Sequence, residues 1–447
     1  MESPERNYLQ FYWPLALMGV VLLSGRLAQN FVLLHYEAGV EELAVYALAL
    51  AVFGPFRAAL TFVPQMTTVV VRGPRSLRDS LRFVVVISLI LTAPLALLAW
   101  TPLGGKVLPL IYDVSPDRID RMLLYMRWFT PLVLFQGLSR YGVGLLVQAR
   151  RTGTVTALRA LELALLVGTL LLGMSLGWDP VLTISMSLVL PRLVHMALAG
   201  TLAAVFHHHR EPGEDRPLEL RELLAFFLPM AGTSLLFSLT RPIIYGFITG
   251  LNPAGDPSLP NVDSMVAAVT LASTFTMIFQ GSINQFRHLL TTYGTDDLPG
   301  VRRFMLRTTA VVTGLMVLTV ASPLAGLFFR HLQGATGNTL GMARQAVWVC
   351  CLVPVVICWR NYYHGQAMVH RRTGGMLAGG VMRNASVAVA AACLTAGGLY
   401  NHVTAAAMLP LAFGSEAATV MLFTRSWRRS VVGVNQEEGL DAEPACD

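Results

Sequence analysis

Long apolar runs separated by short polar breaks recur along the whole chain, at roughly 11–34, 43–70, 83–103, 123–148, 154–176, 180–206, 222–249, 264–290, 304–329, 346–369, 374–399 and 404–424. A helix crosses a hydrocarbon core of about 30 Å in about 20 residues, so the pattern predicts an all-α polytopic membrane protein with about twelve transmembrane helices. Pro55, Pro64, Pro131, Pro242 and Pro354 fall inside these runs and predict bent or locally broken helices. The first run holds Pro14 and Arg26 and follows Glu2 and Glu5, so it reads as a permanent helix and not as a cleavable signal peptide.

Composition agrees and narrows the choice. Of 447 residues 54% are hydrophobic and 13% charged, which leaves no room for a soluble catalytic domain. The five cysteines (Cys350, Cys351, Cys358, Cys393 and Cys446) are odd in number and lack metal-ligand spacing, so neither a disulfide framework nor a zinc site is expected. His207-His208-His209 ends a basic helix and reads as solvated, and Asp296-Asp297 lacks a second acidic cluster and reads as loop. No metal or other cofactor is called for.

The basic residues are 32 arginines and Lys106. Alternate loops and both tails hold 17 of them and the other six loops 5, so both termini are expected in the cytoplasm of a multi-pass cell-membrane protein. Topology thus accounts for the excess base without nucleic acid. The arginine bias and compact loops fit a bacterial inner membrane.

The longest polar interior stretch lies near the middle, and the two halves echo each other. Pro14 and Arg26 recur as Pro229 and Arg241, at an offset of 215. Arg150-Arg151-Thr152-Gly153 recurs as Arg371-Arg372-Thr373-Gly374, and Arg82-Phe83 as Arg303-Phe304, both at 221. The expected organisation is a six-helix bundle over 1–206, a cytoplasmic linker over 207–221, a second six-helix bundle over 222–429 and a disordered acidic tail over 430–447. Six spans per half preserve orientation, so a pseudo-two-fold axis should run along the membrane normal with a cavity between the bundles.

The remaining 11 basic residues, all arginine, lie within the spans, where Glu162 and Glu416 are the only carboxylates well inside. Arg127, Arg159 and Arg307 sit near span ends and can reach headgroups, or in the case of Arg159 pair with Glu162. Arg26, Arg57, Arg140, Arg192, Arg241 and Arg360 are deeper. At about 2.5–3.5 kcal/mol each, six lipid-facing arginines would exceed the typical stability of about 5–15 kcal/mol, so they must face a wet cavity, helix ends or counter-charges. A planar, permanently charged guanidinium binds carboxylate or phosphate bidentately. These six are the candidate substrate-binding residues for a small polyanion, with Arg26 and Arg241 leading; capping of carbonyls at helix breaks is the competing explanation for each. His195 and His364, one turn from Arg192 and Arg360, are candidates for coupling or gating. So are Glu162 and Arg383, equivalent under the 221 offset, whose opposite charge predicts an ion pair between lobes or a charge-asymmetric cavity wall. Asn284, Gln285, Asn361 and Tyr363 are expected to line the cavity or to hydrogen-bond between helices.

Tyr12-Trp13-Pro14-Leu15, Leu43-Ala44-Val45-Tyr46-Ala47-Leu48-Ala49 and Thr240-Arg241-Pro242-Ile243, with the Arg-rich helix pairs, resemble the progressive ankylosis (ANKH-type) transporters of the multidrug/oligosaccharidyl-lipid/polysaccharide (MOP) exporter superfamily. The resemblance extends over about residues 8–427 and contains no diagnostic signature. It implies a MATE-like fold of two six-helix bundles around a V-shaped cavity, alternating access, and export of citrate and other carboxylates, ATP or pyrophosphate. Two departures, the absence of the long hydrophilic C-terminal extension of animal members and a cation at Arg26 where an acid is expected, prevent carrying over coupling ion or substrate.

The expected function is therefore a monomeric polyanion exporter and not an enzyme. A flippase for a lipid-linked anionic headgroup is the alternative, and a cation antiporter fits less well because so few carboxylates lie in the spans. Paired metal-binding carboxylates or a nucleophile set for an integral-membrane transferase are absent from the sequence; a non-transporting receptor or scaffold would show a sealed, dry interface.

Overall fold

The computed structural model describes residues 8–9, 12–13, 24–149, 151–206, 217–252, 261–293, 297–369 and 374–440, and every regular element among them is helical. Pro14, Arg150, His207-His208-His209, Asp296, Arg371-Arg372-Thr373 and most of the expected linker lie outside the described residues.

In the first half, α1 covers 24–34, followed by α2 (Gly39–Ala59), a tight turn Leu60–Phe62, α3 (Val63–Val70), α4 (Pro74–Trp100), α5 (Leu103–Ile111), α6 (Pro116–Gln148), α7 (Thr152–Ser175) and α8 (Pro180–Phe206). The second half holds α9 (Leu220–Thr249), α10 (Val262–Ile283), α11 (Phe286–Tyr293), α12 (Leu298–Ala321), α13 (Pro323–Leu327), a wide turn Phe328–Leu332, α14 (Gly337–Cys350), α15 (Val353–Val369), α16 (Gly374–Ala396) and α17 (His402–Leu440). Among the described residues nine helical stretches are long and apolar enough to cross a membrane. They fall on expected spans 2, 3, 5, 6 and 8 to 12. The 33-residue α6 and 30-residue α9 occupy spans 4 and 7, and α1 lies within span 1.

Proline explains two breaks. Span 2 divides at Leu60–Phe62, between Pro55 and Pro64, and span 10 divides after Cys350, ahead of Pro354. A proline has no N–H to give the preceding turn, and its ring crowds that turn's carbonyl. At its other end span 10 starts earlier than expected, at Gly337. α17 continues past the expected end of span 12, to Leu440. No proline interrupts it between Pro410 and Pro444.

The packing repeats. In the first half α6 packs on α2, α3, α4 and α8, and α7 on α8; in the second, α14 packs on α10, α15 on α11, α12 and α17, and α16 on α17. Each pair has its counterpart in the other half, which gives two lobes of the same design. Gly144 and Gly365, 221 positions apart, each admit a neighbouring helix: a side chain would come within 2.7 Å of Thr67 at the first and 2.6 Å of Leu290 at the second. Small residues at such crossings let helices approach closely where no water is available to drive them together.

The first helix of each lobe reaches across the boundary. α9 packs on α16 of its own lobe and on α2 of the other. Likewise Gly25 of α1 lies against Leu163 and Leu166 of α7, while Asn30 donates to Thr274 of α10 at 3.3 Å. This brings the repeat-related Arg26 and Arg241 to the boundary between the lobes.

Candidate functional site

A cavity of about 270 Å³ lies at that boundary, lined by residues from α1, α2, α6, α9, α10 and α15 to α17. Five guanidiniums line it: Arg26, Arg57, Arg140, Arg241 and Arg383, and no carboxylate is among its described lining residues. Arg26 and Arg241 approach the same atom from opposite lobes, Met277 Sδ, at 3.4 and 4.0 Å. A thioether is a weak acceptor, so among the described residues neither charge has a strong partner.

Arg57 occupies the last turn of α2, just before the break, where the helix dipole favours a cation. Its guanidinium stands 6.0 Å over the Phe53 ring. Arg140 donates to Thr61 Oγ1 at 3.1 Å and to the Arg57 carbonyl at 3.4 Å. Part of its role is thus to cap the backbone freed at the proline-broken span. Among the described residues none of Arg26, Arg57, Arg140 and Arg241 has a carboxylate within ion-pair distance.

The other sequence-predicted residues form two clusters behind the cavity. In the first lobe Glu162 receives Arg192 at 2.6 Å and Arg159 at 2.9 Å, with His195 Nε2 at 3.8 Å; Ser139 Oγ lies 2.6 Å from His195 Nδ1. In the second, Glu416 is met by Arg360 at 2.8 Å, Arg383 at 3.0 Å and His364 at 3.2 Å. Arg192 and Arg360 are therefore held by carboxylates and do not line the cavity, whereas Arg383, which also donates to Thr240 Oγ1 at 2.9 Å, joins the second cluster to the cavity wall.

The expected Glu162–Arg383 pair between lobes does not form. Each is neutralised inside its own lobe, Glu162 by Arg159 and Arg192, and Arg383 by Glu416. Asn284, Gln285, Asn361 and Tyr363 do not line the cavity either; Asn361 donates to the Ile283 carbonyl at 3.0 Å.

The clusters share a plan that the sequence reading caught only in part. Ser139, Glu162 and His195 correspond at the 221 offset to Arg360, Arg383 and Glu416, and each triplet is in contact. The carboxylate has moved from the first helix of the α7/α8 pair to the second helix of the α16/α17 pair. Each lobe thereby keeps one glutamate, two arginines and one histidine. Extending the offset from Glu162 and Arg383 to their neighbours would have revealed it.

Charged residues at the helix starts on one face were missed altogether. Arg118 of α6 pairs with Glu41 of α2 at 3.3 Å and with Asp263 of α10, across the lobe boundary; Arg121 pairs with Glu42 and, at 3.4 Å, with Asp179. Acidic residues in first helical turns look like ordinary capping groups in sequence, which hides the pairing. On the opposite face Tyr8 donates to Asp297 at 2.7 Å, and the Gly300 amide donates to the same carboxylate at 2.9 Å. These two bonds, the tyrosine's foremost, hold the Asp297 carboxyl below the usual aspartate range.

No protein-family model matches the chain, and no curated protein matches it in sequence. Solved structures do match in shape. An inward-facing multidrug resistance MATE family transporter of the MOP superfamily aligns over 93% of this chain and 95% of its own, with a TM-score of 0.65 and 14% identity. The lipid II flippase MurJ, in an inward closed conformation, aligns over 92% and 86%, with 0.68 and 12%. A MOP superfamily transporter from Pyrococcus furiosus, whose binding pocket is described as having reverse polarity, aligns over 95% of both chains, with 0.56 and 13%. The chain is a multi-pass membrane protein with the two-lobed, MATE-like fold that these MOP superfamily transporters share.

Proposed function

We propose that this protein is an alternating-access exporter of small organic or phosphate polyanions, such as citrate-like carboxylates, ATP or pyrophosphate. One observation carries the reading: five guanidiniums converge on the cavity between the lobes and no carboxylate lines it among the described residues. A buried cationic space of this kind is balanced by a negatively charged guest, and guanidinium forks suit carboxylate and phosphate oxygens. The same charge pattern opposes organic cations. The neighbour with a pocket of reverse polarity supports a departure from drug export on this fold.

In this reading Arg26, Arg57, Arg140, Arg241 and Arg383 contact substrate. Arg192 and Arg360 set the charge behind it, and Glu162, His195 and His364 serve coupling or gating together with Arg383. Both termini lie in the cytoplasm, on the basic-loop side, so the Arg118–Asp263 pair closes the outer face. The MurJ likeness favours one second reading, a flippase for a lipid-linked anionic headgroup.

The test is counter-flow in proteoliposomes preloaded with citrate, ATP, pyrophosphate or an organic cation. Exchange of one or more anions, with none of the cation, supports the proposal. A response to the cation alone overturns the substrate class, and transbilayer movement of a diphosphate-bearing lipid without soluble-anion exchange selects the flippase.

A further inference from the structure

A larger space of about 890 Å³ lies in the second lobe, between α12, α15 and α17. It shares no lining residue with the central cavity: α15 turns Val353 to the cavity and Val355, Trp359 and Tyr362 to this groove. The walls are mostly apolar, and at Gly314 an added side-chain carbon would meet no atom within 4 Å. Arginine enters the lining only at the end where α12 begins and α15 finishes. There stand Arg302, whose guanidinium lies 6.0 Å from the Tyr362 ring centre, and Arg425.

Along α12 the groove extends from Arg302 to Leu318, about 24 Å at 1.5 Å per residue, which is most of a hydrocarbon core of about 30 Å. Two arginines at one end and an apolar trough along the rest match an anionic phospholipid, headgroup at the membrane surface and chain within. Guanidiniums at a bilayer surface are answered by phosphate oxygens, which they bind strongly. We propose that this groove is a binding site for a resident anionic phospholipid, with one acyl chain lying along α12 past Gly314 and the phosphate on Arg302 and Arg425. The site depends on the membrane location of the chain and not on what the central cavity carries.

The full chain, purified in mild detergent, is incubated with phosphatidylglycerol or phosphatidylethanolamine of identical acyl chains, and retained lipid is counted by native mass spectrometry. The wild type should prefer phosphatidylglycerol, by roughly fivefold for each arginine. R302Q/R425Q should erase the preference while keeping some binding, and A310W, which fills the trough, should remove both lipids. Val311→Trp, on the exposed outer face of the same helix, should behave as wild type. Equal retention of the two lipids by the wild type overturns the proposal, as does undiminished phosphatidylglycerol on A310W. Should A310W fail to fold, the R302Q/R425Q comparison decides alone.

Discussion

Arg26→Gln and Arg241→Gln should change the empty and loaded protein in opposite directions. Nitrogens 3.4 and 4.0 Å from one sulfur are within about 7 Å of each other, and unit charges at that spacing repel by roughly 2 kcal/mol at an effective dielectric of about 20. Removing either charge relieves that repulsion, so each single variant should unfold at the same or a higher temperature than wild type when no anion is present. With anion the order reverses, because each lost charge-assisted contact weakens binding by about 1.5–3 kcal/mol, roughly 10- to 150-fold in Kd. The assay is thermal unfolding of detergent-solubilised protein titrated with citrate, ATP or pyrophosphate. Wild type should gain about 2.7 kcal/mol at a hundredfold excess over Kd, and the variants far less at that concentration. Arg360→Gln is the contrasting control, because it strips a partner from buried Glu416 and should destabilise the empty protein. The reasoning is refuted if R26Q and R241Q lower empty-state stability as much as R360Q and leave the anion-induced gain intact.

Glu416→Gln leaves Arg360 and Arg383 buried without their counter-charge and should cost about 3–5 kcal/mol, read as a loss of folded yield and thermal stability. Glu162→Gln should cost less, since that side chain is 14% exposed against 4% for Glu416; equal losses would count against the burial argument. Asp263→Asn removes the cross-boundary partner of Arg118 and should favour separation of the lobes at that face by about 1.5–3 kcal/mol. Spin-label distances across α6 and α10 would report it, and an unchanged distribution would remove the pair from the closure. A carboxyl held below its ordinary pKa keeps its contacts as pH falls through the usual aspartate value of about 3.9 and releases them only below that. Chemical labelling of Tyr8 should therefore be flat between about pH 8 and 5 and rise in Asp297→Asn.

How much was legible in sequence followed from which physical signal was local. Membrane spans are written in consecutive residues, because every residue of a crossing helix must satisfy the same solvent, and each of the twelve expected runs contains helix among the described residues. The breaks beside Pro64 and Pro354 were legible for the same reason, since a missing N–H acts within one turn. Partner choice was not. Arg192 and Arg241 look alike in sequence, both single arginines in apolar helices. Yet Arg192 meets Glu162 on the preceding helix, and among the described residues Arg241 donates to a thioether alone. That difference depends on helix rotation, which amphipathic periodicity fixes in water but which a helix apolar on every side does not reveal.

The internal repeat supplies part of what periodicity withholds. Residues 221 apart occupy equivalent places, so a charge in one lobe can be judged against its counterpart. Glu162 faces Arg383 in this comparison and His195 faces Glu416, an exchange that keeps an acid–base contact in each lobe while moving the acid to the neighbouring helix. An exchange of this kind is permitted only if the two positions touch each other within a lobe, because a lone reversal would bury like charges or leave one unpaired. The same logic separates the cavity arginines from the clusters. Arg26 and Arg241 are equivalent and carry the same sign, and no acid lines the cavity there among the described residues. Where the repeat exchanges charge, the chain neutralises itself. Where it repeats charge at the lobe boundary, the proposed anionic guest would supply the neutralisation.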